Sequence, residues 1–268
     1  MIDPSGPRGP PPPGVPRPHG DVPASTLLFL FAHPDDESFS GAGTAMACAA
    51  AGARTVLVTA TLGDRGKTGD PPLCGPGELA ACRERELRDA AAIIGFEELH
   101  VLGYRDQQLA AAPPDEIRRT LVSHIRRLRP AVVLTFDPNG FNVHPDHVAI
   151  SRFASDAIAA AADPRWLSET GSPHAVARLL WTPILPPWDA AAIDRIADQP
   201  SADFVVDVSR WRDRRAAALR AHRTQHLSID RCFFSRPDLD RILAFETWRQ
   251  AWGPPLRRRP QPDVLVDL

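Results

Sequence analysis

Four apolar runs divide the first 136 residues: Leu27–Ala32, Thr55–Thr61, Leu99–Leu102 and Ala131–Phe136. The intervening segments have helical character. Gly41–Ala51 is rich in small residues, Gly77–Ile94 is closed by Gly95, and Asp115–Leu128 and Pro145–Ala162 follow. Strands that are apolar at successive positions are covered on both faces, as in a parallel sheet. Strand–helix alternation of this kind predicts an α/β fold, Rossmann-like and doubly wound, with a mostly parallel sheet and helices on both faces. Beyond residue 163 the periodicity loosens. Ala177–Trp181 and Phe204–Val208 read as strands, and Trp211–Arg223 reads as an Arg-rich helix.

In the doubly wound order, strand 1 lies beside strand 4 at the point where the winding reverses, and ligands bind outside the carboxyl ends there. The chemistry of this chain gathers at those two ends. His33-Pro34-Asp35-Asp36-Glu37 leaves the first run, and His144-Pro145-Asp146-His147 lies just beyond the fourth. Taken singly, the first segment reads as a capped turn and the second as a helix N-cap followed by proline. Facing each other across one crevice, they read as a metal site.

His33, Asp36 and His147 supply three ligands and leave a position for water, as in hydrolytic zinc centres. Such an ion polarises a carbonyl and acidifies its water. Asp35, next to a ligand but held off the metal, is the expected general base. His144 is expected to stabilise an oxyanion as imidazolium and protonate the leaving nitrogen. Asp146 is expected to hold that imidazole, and Glu37 to orient a ligand or cap the next turn. Imidazole and carboxylate donors suit Zn²⁺ and also Fe²⁺.

Other functional classes lack their signatures. The net charge of −2 gives no field for nucleic acid. The late arginines are interrupted by Asp213 and read as a solvated face with one or two members near the cleft. No apolar run is long enough for a membrane span, and residues 1–23 contain no secretory h-region. Gly41-Ala42-Gly43 is followed by Met46 where a dinucleotide fingerprint needs its third glycine. There is no P-loop and no GxSxG elbow. A two-metal phosphoesterase would need more carboxylate ligands.

Cys48, Cys74, Cys82 and Cys232 form no CxxC pair, and they read as reduced thiols of a cytoplasmic protein. The expected organisation is a Pro-rich disordered arm (1–23), one domain (24–253) and a peripheral Pro/Arg-rich tail (254–268). A homo-oligomer is compatible with this sequence.

Ala32–Glu37 and His144–His147 together resemble the AHPDDE and HPDH signatures of the LmbE-like, or PIG-L, zinc-dependent N-acetylglucosaminyl deacetylases. Supporting matches are Thr61–Gly66, Arg83–Leu87, Leu102–Asp106 and Asp137–Gly140, with a weaker echo at His222-Arg223-Thr224-Gln225. The resemblance implies zinc on His33, Asp36 and His147, Asp35 as base, and His144 with Asp146 as oxyanion stabiliser and orienting partner. It also implies Arg83 and Asp106 on sugar hydroxyls, with Arg65 in the same substrate region. The implied substrate is a small N-acetylaminosugar conjugate from thiol or antibiotic biosynthesis.

Mycothiol-type members tend to carry a Tyr shortly before HPDH. Here Phe141-Asn142-Val143 stands there, leaving Asn142 as the hydrogen-bond donor. A conjugate amidase and a non-catalytic binding relative are the rival readings. The second is disfavoured because Asp35 and His144 are both retained. Arg83 and Glu86 share the apolar stripe of the Gly77–Ile94 helix, so each must be paired or face a polar cavity. An Arg83–Glu86 ion pair is the simplest arrangement.

Overall fold

The structure is a computed structural model that describes residues 25–183, 189 and 202–268. The Pro-rich arm expected over residues 1–23 lies outside the described residues.

Five strands run parallel: β1 (Thr26–Phe31), β2 (Arg54–Thr61), β3 (Glu98–Tyr104), β4 (Val132–Thr135) and β5 (Arg178–Trp181). With β6 (Phe204–Asp207) and β7 (Phe245–Trp252) they form one seven-stranded sheet in the order β3-β2-β1-β4-β5-β7-β6. β7 pairs antiparallel with both β5 and β6. The expected mostly parallel α/β sheet is therefore what the chain builds. β1 and β4 are buried at every position, as their unbroken apolar runs require.

The helices include α1 (Asp36–Ser40), α2 (Ala42–Ala50), α3 (Leu79–Ile94), α4 (Pro114–Leu128), the short kinked α5 (Gly140–Val143), α6 (Pro145–Ala162) and α7 (Arg212–Ala221). Right-handed crossovers towards β3 put α2 and α3 on one face, and crossovers towards β5 put α4 and α6 on the other. The packing agrees: α2, α3 and α7 contact one another, and α4 packs on α6. Gly43 belongs to this packing, since a Cβ there would lie 2.7 Å from Val208. The glycine that invited a dinucleotide reading is a close-approach device.

Two late features differ from expectation. β7 reads Phe-Glu-Thr-Trp-Arg-Gln-Ala-Trp, too polar to stand out as a strand, yet Glu246 and Trp248 are buried. The tail after Pro254, expected to be peripheral, carries buried Gln261 and Val264. Gln261 exchanges backbone hydrogen bonds with Asp203 and Val205, and the buried Arg178 guanidinium donates to the Val264 and Val266 carbonyls.

The late arginines are also more structural than a solvated face. Arg215 is fully buried on Glu246 (3.0 Å), and Arg214 donates to carbonyls at the end of α3. Among the described residues, no helix is long and apolar enough to cross a membrane.

Candidate active site

β1 pairs with β4 in parallel, Leu28 opposite Val133, so the two His/Asp segments leave neighbouring strand ends. Groups more than a hundred residues apart in sequence meet there. His33 Nδ1 lies 3.1 Å from His147 Nε2 and 3.6 Å from Asp36 Oδ2, and His147 Nε2 lies 3.3 Å from Asp36 Oδ1. Four-coordinate zinc with bonds of about 2.0–2.1 Å separates its ligand atoms by about 3.3 Å. The three residues present such a face.

The outer nitrogens of both rings are committed elsewhere. His33 Nε2 lies 3.2 Å from Asp146 Oδ2 and 3.1 Å from Asp106 Oδ1, while His147 Nδ1 donates to the Gly140 carbonyl at 3.2 Å. Second partners of this kind fix the tautomer of a metal-ligating histidine. They leave the inner nitrogens of the two rings facing each other beside a carboxylate. That arrangement calls for a cation between them. Phe136 stacks flat on the His147 ring, with centroids 3.9 Å apart. Burial opposes ionisation of Asp36, but His147 and His33 hold its pKa well below the ordinary carboxylate value. Burial also works against a charged His33, yet Asp106, Asp146 and Asp36 raise its pKa well above the usual one.

Asp35 sits at φ 99°, ψ −29°, in the left-handed region that costs a non-glycine residue of order 1–3 kcal/mol. Its backbone N–H donates to Glu37 Oε2 at 3.0 Å, and Arg83 Nη2 lies 3.2 Å from its Oδ2. Burial pushes its carboxyl up to about 6, against the pull of Arg83 and with the help of Asp36. A carboxyl with that pKa suits proton transfer near neutral pH.

Arg83 is not paired with Glu86. Its guanidinium donates to the carbonyls of Pro34 and Gly63, the latter at 3.0 Å. Gly63, at φ +62°, has no side chain to displace it. Glu86 instead accepts from Thr224, at 2.8 Å from its N–H and 2.7 Å from its hydroxyl. The stripe holds two separate anchors because residues 222–225, far downstream in the chain, supply the second partner.

His144 is the N-cap of α6, and its Nδ1 accepts the Asp146 N–H at 3.2 Å. This corrects the expected orientation. The Asp146 carboxylate bonds to His33 Nε2 and to the N–H groups of Gln107 (2.6 Å) and Leu109 (3.1 Å), not to the His144 ring. Burial, with His33 and His147 nearby, lowers the pKa of His144. It is therefore a neutral imidazole whose Nε2 carries the hydrogen, not a resting imidazolium.

Asp106 lies behind His33, accepting the Arg65 N–H at 3.0 Å, and His33 holds its pKa down at about 2 against desolvation. The exposed Asn142 accepts the His144 N–H at 3.1 Å through Oδ1, so its amide nitrogen is the end left to face a ligand.

A cleft of about 290 Å³ opens over these groups. His33, Asp35, Asp36, Arg65, Arg83, Asp106, Asn142, His144 and His147 all line it, while Asp146 is fully buried beneath. Its far wall comes from Gln225, Ser228, Arg231 and Cys232. The His222–Gln225 motif pointed to this wall without assigning it a role. Desolvation is the first cause raising the thiol pKa of both Cys48 and Cys74, and Cys82 adds to it at Cys74.

The fold and its His/Asp centre define a metal-dependent hydrolase built at the switch point of a doubly wound sheet, and they have counterparts among known proteins. Residues 28–158 match the family model described as PIG-L, GlcNAc-PI de-N-acetylase. A Streptomyces griseus 1D-myo-inositol 2-acetamido-2-deoxy-alpha-D-glucopyranoside deacetylase is 32% identical over 256 residues, covering 80% of this chain and 79% of that relative. A probable N-acetyl-alpha-D-glucosaminyl L-malate deacetylase 2 of Bacillus anthracis is 40% identical over 134 residues, 50% of this chain and 59% of the relative. Among solved structures, a conserved protein from Thermus thermophilus matches with TM-score 0.65 and 28% identity, over 86% of this chain and 96% of that one. The chain belongs to the PIG-L family of N-acetylglucosaminyl deacetylases.

Proposed function

We propose that the protein hydrolyses the N-acetyl amide of a glucosamine-type conjugate, releasing acetate and a free amine, with zinc held by His33, Asp36 and His147. The observation that carries this is the face of donor atoms 3.1–3.6 Å apart with Asp35 alongside. The ion, when bound, supplies Lewis acidity and an acidified water.

Asp35 accepts the proton of the attacking water. His144 Nε2–H donates a hydrogen bond to the developing oxyanion. Because His144 is neutral with Nδ1 already accepting, it has no spare proton for the leaving nitrogen. Asp35, protonated in the first half of the reaction, delivers it. Arg83 is held by Asp35 and two carbonyls, and Asp106 by His33 and Arg65, so both shape the cleft floor that receives the sugar. Arg65 and Asn142 reach the substrate from the rim.

The relatives carry inositol or L-malate on the sugar in their names, and conjugates of that kind are the substrate class. Four free thiols are in keeping with a reducing cytoplasm. The test is metal content per chain with acetate release from N-acetylglucosaminyl inositol and N-acetylglucosaminyl malate. About one ion per chain, absent in Asp36→Ala, with turnover of either conjugate is expected. No bound ion after incubation with zinc would overturn the reading.

A further inference from the structure

The catalytic turn is held from behind by Arg83 and by further groups the mechanism does not use. The Pro34–Asp35 peptide is gripped at both ends: Arg83 Nη2 takes the Pro34 carbonyl, and Glu37 Oε2 takes the Asp35 N–H at 3.0 Å. A peptide fixed at both its polar groups cannot rotate, which is what a left-handed Asp35 requires to persist. The second oxygen of Glu37 is bound in turn. Oε1 accepts from Ser38 Oγ at 2.6 Å and from His222 Nε2 at 2.7 Å. Glu37, Ser38 and His222 are each 0% exposed. His222 Nε2 also lies 3.3 Å from Ser38 Oγ, while its Nδ1 has no hydrogen-bond partner among the described residues. The polar bonding of its side chain is therefore spent on Glu37 and Ser38. It stands at the end of α7, 185 residues from Glu37, and touches neither the cleft nor the ligand atoms.

We propose that His222 is a positioning residue: it fixes the Glu37 carboxylate, which together with Arg83 clamps the Pro34–Asp35 peptide and holds the base in its left-handed conformation over the cleft. The inference rests on Asp35 as the base. Its alternative is a purely structural buried pair, in which loss of the imidazole weakens the fold and everything built on it together.

The experiment compares wild type, His222→Phe and His222→Gln, all loaded with zinc. The readouts are kcat, KM, metal per chain, thermal midpoint and a crystal structure of each. The aromatic variant keeps a planar ring of similar shape, slightly larger, but has no donor for Glu37. It is expected to lower kcat on the order of 10–100-fold, the cost of a small misplacement of a reacting group, with KM and metal content unchanged. His222→Gln restores a donor and is expected to regain most of the loss. In crystals of His222→Phe, residue 35 leaves the left-handed region, and in His222→Gln it returns.

Unchanged kcat in a folded, metal-loaded His222→Phe would overturn the proposal. So would kcat, KM, metal content and thermal midpoint falling together with no recovery in His222→Gln, or residue 35 keeping its φ in the aromatic variant. A wild-type protein without turnover would defeat the deacetylase reading itself, and the crystallographic arm would still decide the clamp.

Discussion

The two halves of the centre are built in opposite ways. His144–His147 is a relaxed helix start: proline follows the cap, His144 caps α6, and the His147 ring lies flat on Phe136. His33–Glu37 is a tight turn with one residue in a costly conformation, fixed by the buried Arg83 of α3 and, through Glu37, by the buried His222 side chain. The helix start aims His147 with the Gly140 carbonyl and the Phe136 ring, and the positive φ angles on this side, Phe141 (61°) and Val143 (57°), lie in the approach to the helix and not within the motif. A base that must sit beside a ligand without binding the ion needs an unusual backbone, and that backbone needs support from elsewhere in the chain.

Substitutions can break this contrast, beginning with the most severe. Asp36→Ala removes a ligand and is expected to abolish both the bound ion and acetate release, read by metal analysis and turnover. Asp35→Ala is expected to keep the ion and lose about 10²–10⁴-fold in kcat, the usual worth of a general base. An active Asp35→Ala would move the base elsewhere. The Asp35 carboxyl, raised to about 6, must be ionised to act, so kcat/KM is expected to fall as pH drops below about 6. An acid limb near the ordinary carboxylate value, roughly pH 4, would place the base in a wetter setting.

His144→Ala is expected to cost about 10²–10³-fold in kcat, as for a lost oxyanion donor. On the relaxed side, Phe136→Ala is expected to weaken metal affinity about 10–100-fold, the scale for groups that support a ligand, and titration with a chelator measures it.

The smallest effect is on stability. Asp35 has a raised folded-state pKa, so its ionisation opposes folding as pH rises through the range from 3.8 to about 6. Asn tolerates the left-handed region and carries no charge. Metal-free Asp35→Asn is therefore expected to be more stable than wild type by about 1–3 kcal/mol at roughly pH 8, with the advantage gone below about pH 4. Denaturant melts at both pH values would show it. A destabilised Asp35→Asn at the higher pH would mean that the ion pair with Arg83 outweighs the desolvation of the carboxylate.

The parallel core and the meeting of the two His/Asp motifs were legible because their signals are local. An unbroken apolar run can only be a buried strand here, and two short motifs placed just past neighbouring strand ends are brought together by the strand order. What stayed hidden depends on partners far along the chain. Arg83 and Glu86 look like an ion pair one helical turn apart, but Asp35 and Thr224 claim them separately. Asp146 beside His144 looks like its orienting group, yet the helix start turns the carboxylate towards His33. β7 was not apparent because its alternation mixes Glu246, Arg249 and Gln250 with aromatic residues, and their partners are distant in sequence: Glu246 accepts from Gly43 and Thr44 and pairs with Arg215, while Gln250 accepts from Arg178.

The position of β7 also sets an order of assembly. A chain growing from its N-terminus has all three proposed ion ligands once residue 147 has been made. β5 nevertheless keeps a bare hydrogen-bonding edge until residue 252 is made, and His222 arrives only shortly before that strand. The His/Asp centre is thus assembled from residues 33–147, whereas the support of the Asp35 turn and the cover of the β5 edge both come from residues 222–252.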